Sequence, residues 1–412
     1  MVALAAFGLT ACGTQGAHDS GTMLSPMAAR AAHAAATRDR AAAARLRYAP
    51  PPSPPCSQMF ASTAAAAAAL KTAGAGTAIC LSPGGYGPLA LAGRHAGTVT
   101  IEPVPGTAAR VQGVTVAPGA SGIAIHDLAI SGGVTLQAGD THIAVDHDDI
   151  DGEGPGGQGE GVQAISVNCA APNAPSYPGC ASTPPDSDIA IVGNRIHGYG
   201  RGHSEDAIHL NNWEDVTIAD NDIYDLEEHG NHTDAMQSVF GGHHMLFERN
   251  YEHDNQAQGF FVNDGDAAEV TVNDNLFLRN DNEPRLYPGG EYNIQVFDTT
   301  GLTITNNTVW DGQQDILRAE GASETPTATV SHNLERSLNV LHAGGGPAYR
   351  VNSHDNVFAE APWSIRPGAG SVVVPKPRFV DPAAGDYRLR GGRPRAGVDW
   401  QPSEYLYGPT GY

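Results

Sequence analysis

The chain has 412 residues, of which only 17% are charged, yet its formal net charge is −22, and Gly (50) and Pro (29) are abundant. Such a charge excludes a nucleic-acid or anionic-membrane surface over most of the molecule, and the composition suits strands and turns better than long helices. The imbalance is local: residues 200–283 hold 19 Asp/Glu against three Arg and no Lys, with seven of the 17 histidines, so this stretch is where a cation or acid–base site is expected.

In chain order, residues 2–11 are apolar and end in Leu9-Thr10-Ala11-Cys12. This resembles a bacterial lipobox, with Cys12 as the lipidated residue, so residues 1–12 read as a signal segment. The protein is then expected to be exported, either secreted or a cell-surface lipoprotein touching the membrane only through that anchor. No other run is long and apolar enough to span a bilayer. Residues 13–55 are Ala-rich, end in a polyproline run and read as a tether. Cys56 and Cys80, and then Cys169 and Cys180, each close a short loop, which predicts two local disulfides in an oxidising compartment.

After Cys56 the stretch S-Q-M-F-A-S-T-A-A-A-A-A-A-L-K predicts a short helix, and A-I-C-L-S-P-G-G-Y at 78–86 predicts a strand followed by a Gly turn. Short strands follow at 98–101, 114–116 and 123–125. An apolar-x-apolar-x-x-Asn-x-apolar phrase then recurs, as in I-A-I-V-G-N-R-I (189–196), V-T-I-A-D-N-D-I (216–223) and L-T-I-T-N-N-T-V (302–309). Its key positions are Asn194, Asn221, Asn250, Asn275, Asn307, Asn333 and Asn356, with Asp148 as an earlier counterpart. A period this short fits one coil of a parallel β-solenoid rather than an independent domain. Each Asn is expected at a turn, in left-handed geometry, with its amide reaching the next coil.

With these asparagines in register, the chain resembles the right-handed parallel β-helix, or pectate-lyase-like, superfamily over about residues 56–400. The phrase His232, Asp234, Gln237 followed by Gly241-Gly242 is similar to one in actinobacterial secreted members of unsettled activity. The expected fold is all-β, about ten coils with a short N-terminal helical cap. The P-R-F-V-D-P-A-A-G-D-Y-R-L-R stretch (377–390) resembles the closing segment of such proteins. Residues 151–188 read as a loop inserted between coils, and 401–412 as a C-terminal tail.

Aligning the coils upstream of the asparagines places Ile208, Met236, Phe260, Ile294 and Leu317 in one inward column. Alternation along a strand then makes His209, Gln237, Phe261, Gln295 and Arg318 an outward column. Asn211, Val239, Asn263, Phe297 and Glu320 lie two residues on, and Ala207, Ala235 and Gly259 ahead leave room. At the leading corner Asp206 should lie over Asp234, about 4.8 Å apart. They suit a catalytic pair or a capping role for backbone N–H groups. Two stacked carboxylates need a proton, a histidine or a hard cation between them.

The expected catalytic residues are therefore Asp206, His209, Asp234 and Arg318. Gln237, Phe261, Asn263, Gln295, Phe297 and Glu320 are expected to bind substrate, and Glu205, Asp206 and Asp234 to hold Ca²⁺. The superfamily resemblance implies carboxylates holding Ca²⁺ against an acidic sugar while Arg or Lys takes its C5 proton. With no Lys in the middle coils, Arg318, or Arg285 nearby, would serve, and His209 is a base of naturally suitable pKa. The expected function is an exported, monomeric enzyme acting on polysaccharide as a lyase or glycoside hydrolase. The alternative is a non-catalytic glycan-binding or adhesive β-helix.

Overall fold

The computed structural model describes residues 55–154, 157, 162–168, 184–200, 205–227, 233–256, 258–263, 267–280, 292–312, 315–321, 323–391 and 395–401. They fall in the compact unit Tyr48–Tyr412. Cys12, Cys169, Cys180 and almost all of the expected tether and C-terminal tail lie outside the described residues. The architecture is a parallel β-solenoid: one sheet carries twelve strands in strict coil order, from Gly84–Tyr86 to Val372–Val373, two more rungs than the ten expected.

Two further ladders complete each coil. The front ladder runs Leu89–Leu91, Val114–Val116, Val134–Gln137, Ile165–Asn168, then through the long strands Ile208–Ala219 and Asp234–Glu248 to Gln258–Val262, Ile294–Phe297, Asp315–Ala319 and Leu338–His342. The side ladder includes Ser121–His126, Thr141–Asp146, Asp186–Val192 and Ala267–Asn273. The two long strands turn the corner between front and side, with a register shift between Asn211 and Trp213. Inside, Ile208, Met236, Phe260, Ile294 and Leu317 are buried in one continuous apolar core.

The asparagine ladder forms as the repeat predicts. Each side-chain oxygen accepts the backbone N–H of the previous Asn: Asn221 from Asn194 (3.0 Å), Asn250 from Asn221 (3.1 Å), Asn275 from Asn250 (2.8 Å) and Asn307 from Asn275 (2.9 Å). Asn333 and Asn356 continue it, and the Asp148 N–H joins it by donating to Asn194. The left-handed residue, however, is the one before each Asn: Gly193, Asp220, Arg249, Asp274, Asn306, His332 and Asp355 all have φ between 55° and 70°. The turn is made by that residue, which frees the Asn to spend its amide on the neighbouring coil.

At the N-terminus the helix is shorter than expected, Thr63–Leu70, because the Ser62 side chain caps it by accepting the Ala65 N–H at 3.2 Å. Gln58–Phe60 instead adds a strand to Ala78–Leu81, beside the Cys56–Cys80 disulfide. The closing segment forms an antiparallel pair, Phe379–Asp381 with Asp386–Leu389. Beyond it Val398 and Trp400 pack against Leu276 and Leu278 on the outside of the twelve-stranded sheet.

A second corner column is acidic. The Asp186 carboxylate accepts the Asp140 N–H (2.7 Å), and the Asp140 carboxylate accepts the N–H groups of Ala120 (2.8 Å) and Gln137 (3.0 Å). Burial pushes Asp140 up to about 7 and Asp186 up to about 8. Both folded-state values lie above the unfolded one, so their stabilising contribution is full below the ordinary carboxylate range and is lost as pH rises through 7 to 8. Thermal melting should therefore fall progressively between about pH 4 and pH 8 and level off above it, and Asp186→Asn should flatten that fall. A variant with the same pH slope as the parent would remove Asp186 as its cause.

Candidate functional site

The site grows from the corner before the strand Ile208–Ala219. His209 points out of the front ladder, and its Nδ1–H donates to Asp206 Oδ2 at 2.6 Å. The other carboxylate oxygen, Oδ1, accepts the Asp234 N–H of the next coil at 2.9 Å. Asp206 therefore takes the capping role and also holds the His209 ring by Nδ1, while the catalytic pair expected with Asp234 is not formed. Burial disfavours the charged imidazole, but the hydrogen bond and charge of Asp206, with the charge of Glu205, outweigh it and leave the His209 pKa raised above 6.5. Nε2 on the far side of the ring is buried and makes no hydrogen bond, although Asn211 lies near enough to favour its protonated form.

The neighbour of His209 across the ladder is Ser166, whose buried hydroxyl also makes no hydrogen bond. Sequence reasoning missed it, because residues 151–188 read as an inserted loop. Within them, Ile165–Asn168 is a rung of the front ladder, and Asp186–Val192 one of the side ladder. The I-S-V-N alternation was the available signal, too short to stand out beside the Gly-rich run before it. In the other direction the outward column continues as predicted through Gln237, Phe261 and Gln295. Gln295 Oε1 is buried without a hydrogen bond, so the outward positions of this ladder include buried polar atoms without one on Ser166, His209, Asn211 and Gln295.

Other expectations are corrected. Asp234 does not share this outward face. It is 0% exposed and close enough to the buried Glu252 for its charge to act there. Across the coil interior it meets Glu252, which burial and the Asp234 charge push well above the usual carboxylate range. A surface pair of carboxylates is thus not built here. Arg318 does not continue the column from Gln295, because the register moves by two residues: Gln295 pairs with Ile316 and Phe297 with Arg318. Asp315 takes the place opposite Ile294, whose N–H it accepts at 3.0 Å. Arg318 stands four rungs from His209, roughly 19 Å along the stack. There its guanidinium lies over the Phe297 ring (5.2 Å to the centroid) and pairs with Glu320.

The two phenylalanines meet edge to face at 5.6 Å and are nearly buried, so they are packing residues rather than an open stacking platform. Ala207 and Ala235 lie in the core, and a side chain at Gly259 would press on Glu252 and the Asn293 carbonyl, so these small residues leave no room for a ligand. Asn263 is half-buried at the end of its strand, donating its N–H to the Ser238 carbonyl (2.8 Å). Glu205 is also half-buried and accepts from the Gln163 amide at 3.3 Å. The expected Ca²⁺ set does not fit. Both Asp206 oxygens are committed, Asp234 faces the core, and among the described residues Glu205, Asp206 and Asp234 do not bring their ligand atoms together. His203, His232, Asp264 and Arg285 lie outside the described residues.

Residues 157–309 match the family described as the right handed beta helix region. Together with the parallel coils of the described residues, this gives the fold as a right-handed parallel β-helix. Similar solved structures include an alginate lyase from Paenibacillus sp. str. FPU-7, 14% identical, covering 72% of this chain and 100% of that one, TM-score 0.38. Pectate lyase Pel9A is 11% identical, covering 79% and 84%, TM-score 0.42. A DFA-IIIase from Arthrobacter chlorophenolicus A6 is 10% identical, covering 81% and 77%, TM-score 0.34. No curated protein sequence matches the chain.

Proposed function

We propose that this is an exported polysaccharide-active enzyme of the β-elimination type, with His209 as its general base and Asp206 as the residue that orients it. The observation that carries the reading is the pairing of His209 Nδ1–H with Asp206 while Nε2 stays buried and unbonded. A base held in one tautomer, its free nitrogen aimed away from its orienting acid, is the arrangement that proton abstraction requires. Nε2 would take the proton from C5 of a uronate residue. The C4–O bond breaks as a C4=C5 double bond forms, and the departing oxygen receives a proton. Hydrolysis by two facing carboxylates is disfavoured, since Asp234 is turned into the core. Export is part of the proposal and is supported by the lipobox-like residues 1–12 and the Cys56–Cys80 disulfide.

A panel of acidic polysaccharides, read by absorbance of unsaturated products and by new reducing ends, tests the proposal. Unsaturated products made by the parent and lost in His209→Gln support it. Reducing ends without unsaturation would mean hydrolysis, and binding without either product would favour the adhesive alternative. Because the chain is strongly acidic, turnover of a polyanion should rise with moderate salt, as screening weakens the repulsion.

A further inference from the structure

Away from the front ladder, His126, Asp146 and His147 converge on the side ladder. His126 and Asp146 are direct cross-strand neighbours on successive coils. His147 follows Asp146 in a left-handed conformation, φ 58°, which turns its ring back over the carboxylate. Both imidazole Nδ1 atoms approach the same oxygen, Asp146 Oδ2, at 2.7 and 3.2 Å. The rings themselves meet edge to face, 5.7 Å between centroids.

Three features say that this is more than a hydrogen-bonded trio. Asp146 is nearly buried, yet its second oxygen, Oδ1, has no partner. The next coil places Gly193 beneath His147, where a Cβ would stand 3.0 Å from Nε2, so the imidazole occupies space that a side chain would close. The charges acting on His126 are those of Asp146, Asp127 and Glu102, all carboxylates. Nitrogen and oxygen ligands of a tetrahedral Zn²⁺ stand about 2.0–2.2 Å from the metal, hence roughly 3.3 Å from one another. Here the two Nδ1 atoms stand 2.7 and 3.2 Å from Asp146 Oδ2, ligand atoms of all three residues lie within 4.8 Å of one another, and imidazole donors with one carboxylate suit Zn²⁺ among the divalent ions.

We propose that His126, Asp146 and His147 form a Zn²⁺ site on the side of the β-helix, independent of the front-ladder chemistry. The metal would take the place of the Nδ1 protons facing Asp146, a neutral ring shifting its proton to Nε2 and a protonated ring releasing one, with solvent completing the coordination on the exposed side of His147. Two protons at most are released on binding, so the heat of binding should depend on the ionisation enthalpy of the buffer.

The test uses the full chain, stripped with chelator and titrated with Zn²⁺ by calorimetry, and with Co²⁺ by visible absorption. The expected result is one Zn²⁺ per chain and a Co²⁺ band of a nitrogen- and oxygen-ligated site. Asp146→Asn and His147→Asn should each lose affinity by more than the roughly 10- to 100-fold that follows loss of an outer-shell partner. Asn suits the left-handed backbone at 147, and that side chain is partly exposed, so His147→Asn reads the site even where Asp146→Asn unfolds. Absence of binding in the parent, or unchanged stoichiometry and affinity in a folded His147→Asn, overturns the proposal.

Discussion

His209→Gln is expected to lower turnover by about 10²- to 10⁴-fold, the usual contribution of a positioned general base, while leaving the melting temperature close to that of the parent. Gln keeps a polar group on the same outward position but has no nitrogen that can accept a proton near neutral pH. His209 spends only one hydrogen bond on the fold, that to Asp206. Asp206 is different because its two oxygens do separate jobs. Asp206→Ala should lose both activity and about 1–3 kcal/mol of stability, since the buried Asp234 N–H loses its acceptor. In Asp206→Asn an amide oxygen still caps Asp234, and the NH₂ then faces Nδ1. The ring must accept there and carry its proton on Nε2, the wrong nitrogen for a base, so activity falls with the fold retained. Chemical denaturation and initial rates on the three variants separate these outcomes.

The second large effect lies in the asparagine ladder. Asn275→Ala removes an acceptor from the N–H (2.8 Å) and side-chain amide (3.1 Å) of Asn250, and a donor to the Phe247 carbonyl (2.9 Å) and to Asn307 (2.9 Å). All of these groups are buried in the corner of the stack. The expected loss is about 3–5 kcal/mol, from four net bonds of about 1 kcal/mol and the orphaned polar groups they leave. At the end of the ladder Asn356→Ala removes an acceptor from the N–H (2.9 Å) and side-chain amide (3.2 Å) of Asn333 and donors to the Val330 carbonyl (3.0 Å) and the part-buried Ser353 hydroxyl (3.2 Å), so it should cost somewhat less, about 2–4 kcal/mol. Urea denaturation of the two variants measures the difference. Equal, small losses would mean that the ladder is a passenger of the fold.

The ladder was legible in the sequence because its signal repeats: each Asn is obliged by the same corner, and one coil predicts the next. The inward column from Ile208 to Ile294 was legible for the same reason. The left-handed turn was misassigned by one residue because Asp, Asn, Arg, His and Gly all occupy it, so no single residue type marks it. The site was only partly legible. Asp206 and His209 lie three residues apart, and local spacing brought them together. Arg318 depended on counting across three variable coils, and a two-residue register change moved it along its strand and out of the Gln295 column, on a rung already four from His209. Asp234 was misplaced because a corner hides which face a residue takes. Its burial shows only in the fold, because its interior neighbour Glu252 comes from a different sheet.

The central claim is that Asp206 sets the protonation of a catalytic His209. The most direct measurement is the pH dependence of kcat/KM for the parent and for Asp206→Asn, on the polysaccharide that the parent cleaves. In the parent the rate should rise with pH through a value above 6.5, because the base is active only when neutral and Asp206 holds its proton on. In Asp206→Asn that limb should move to lower pH as the residual rate falls. A limb at the same pH in both proteins would contradict the account.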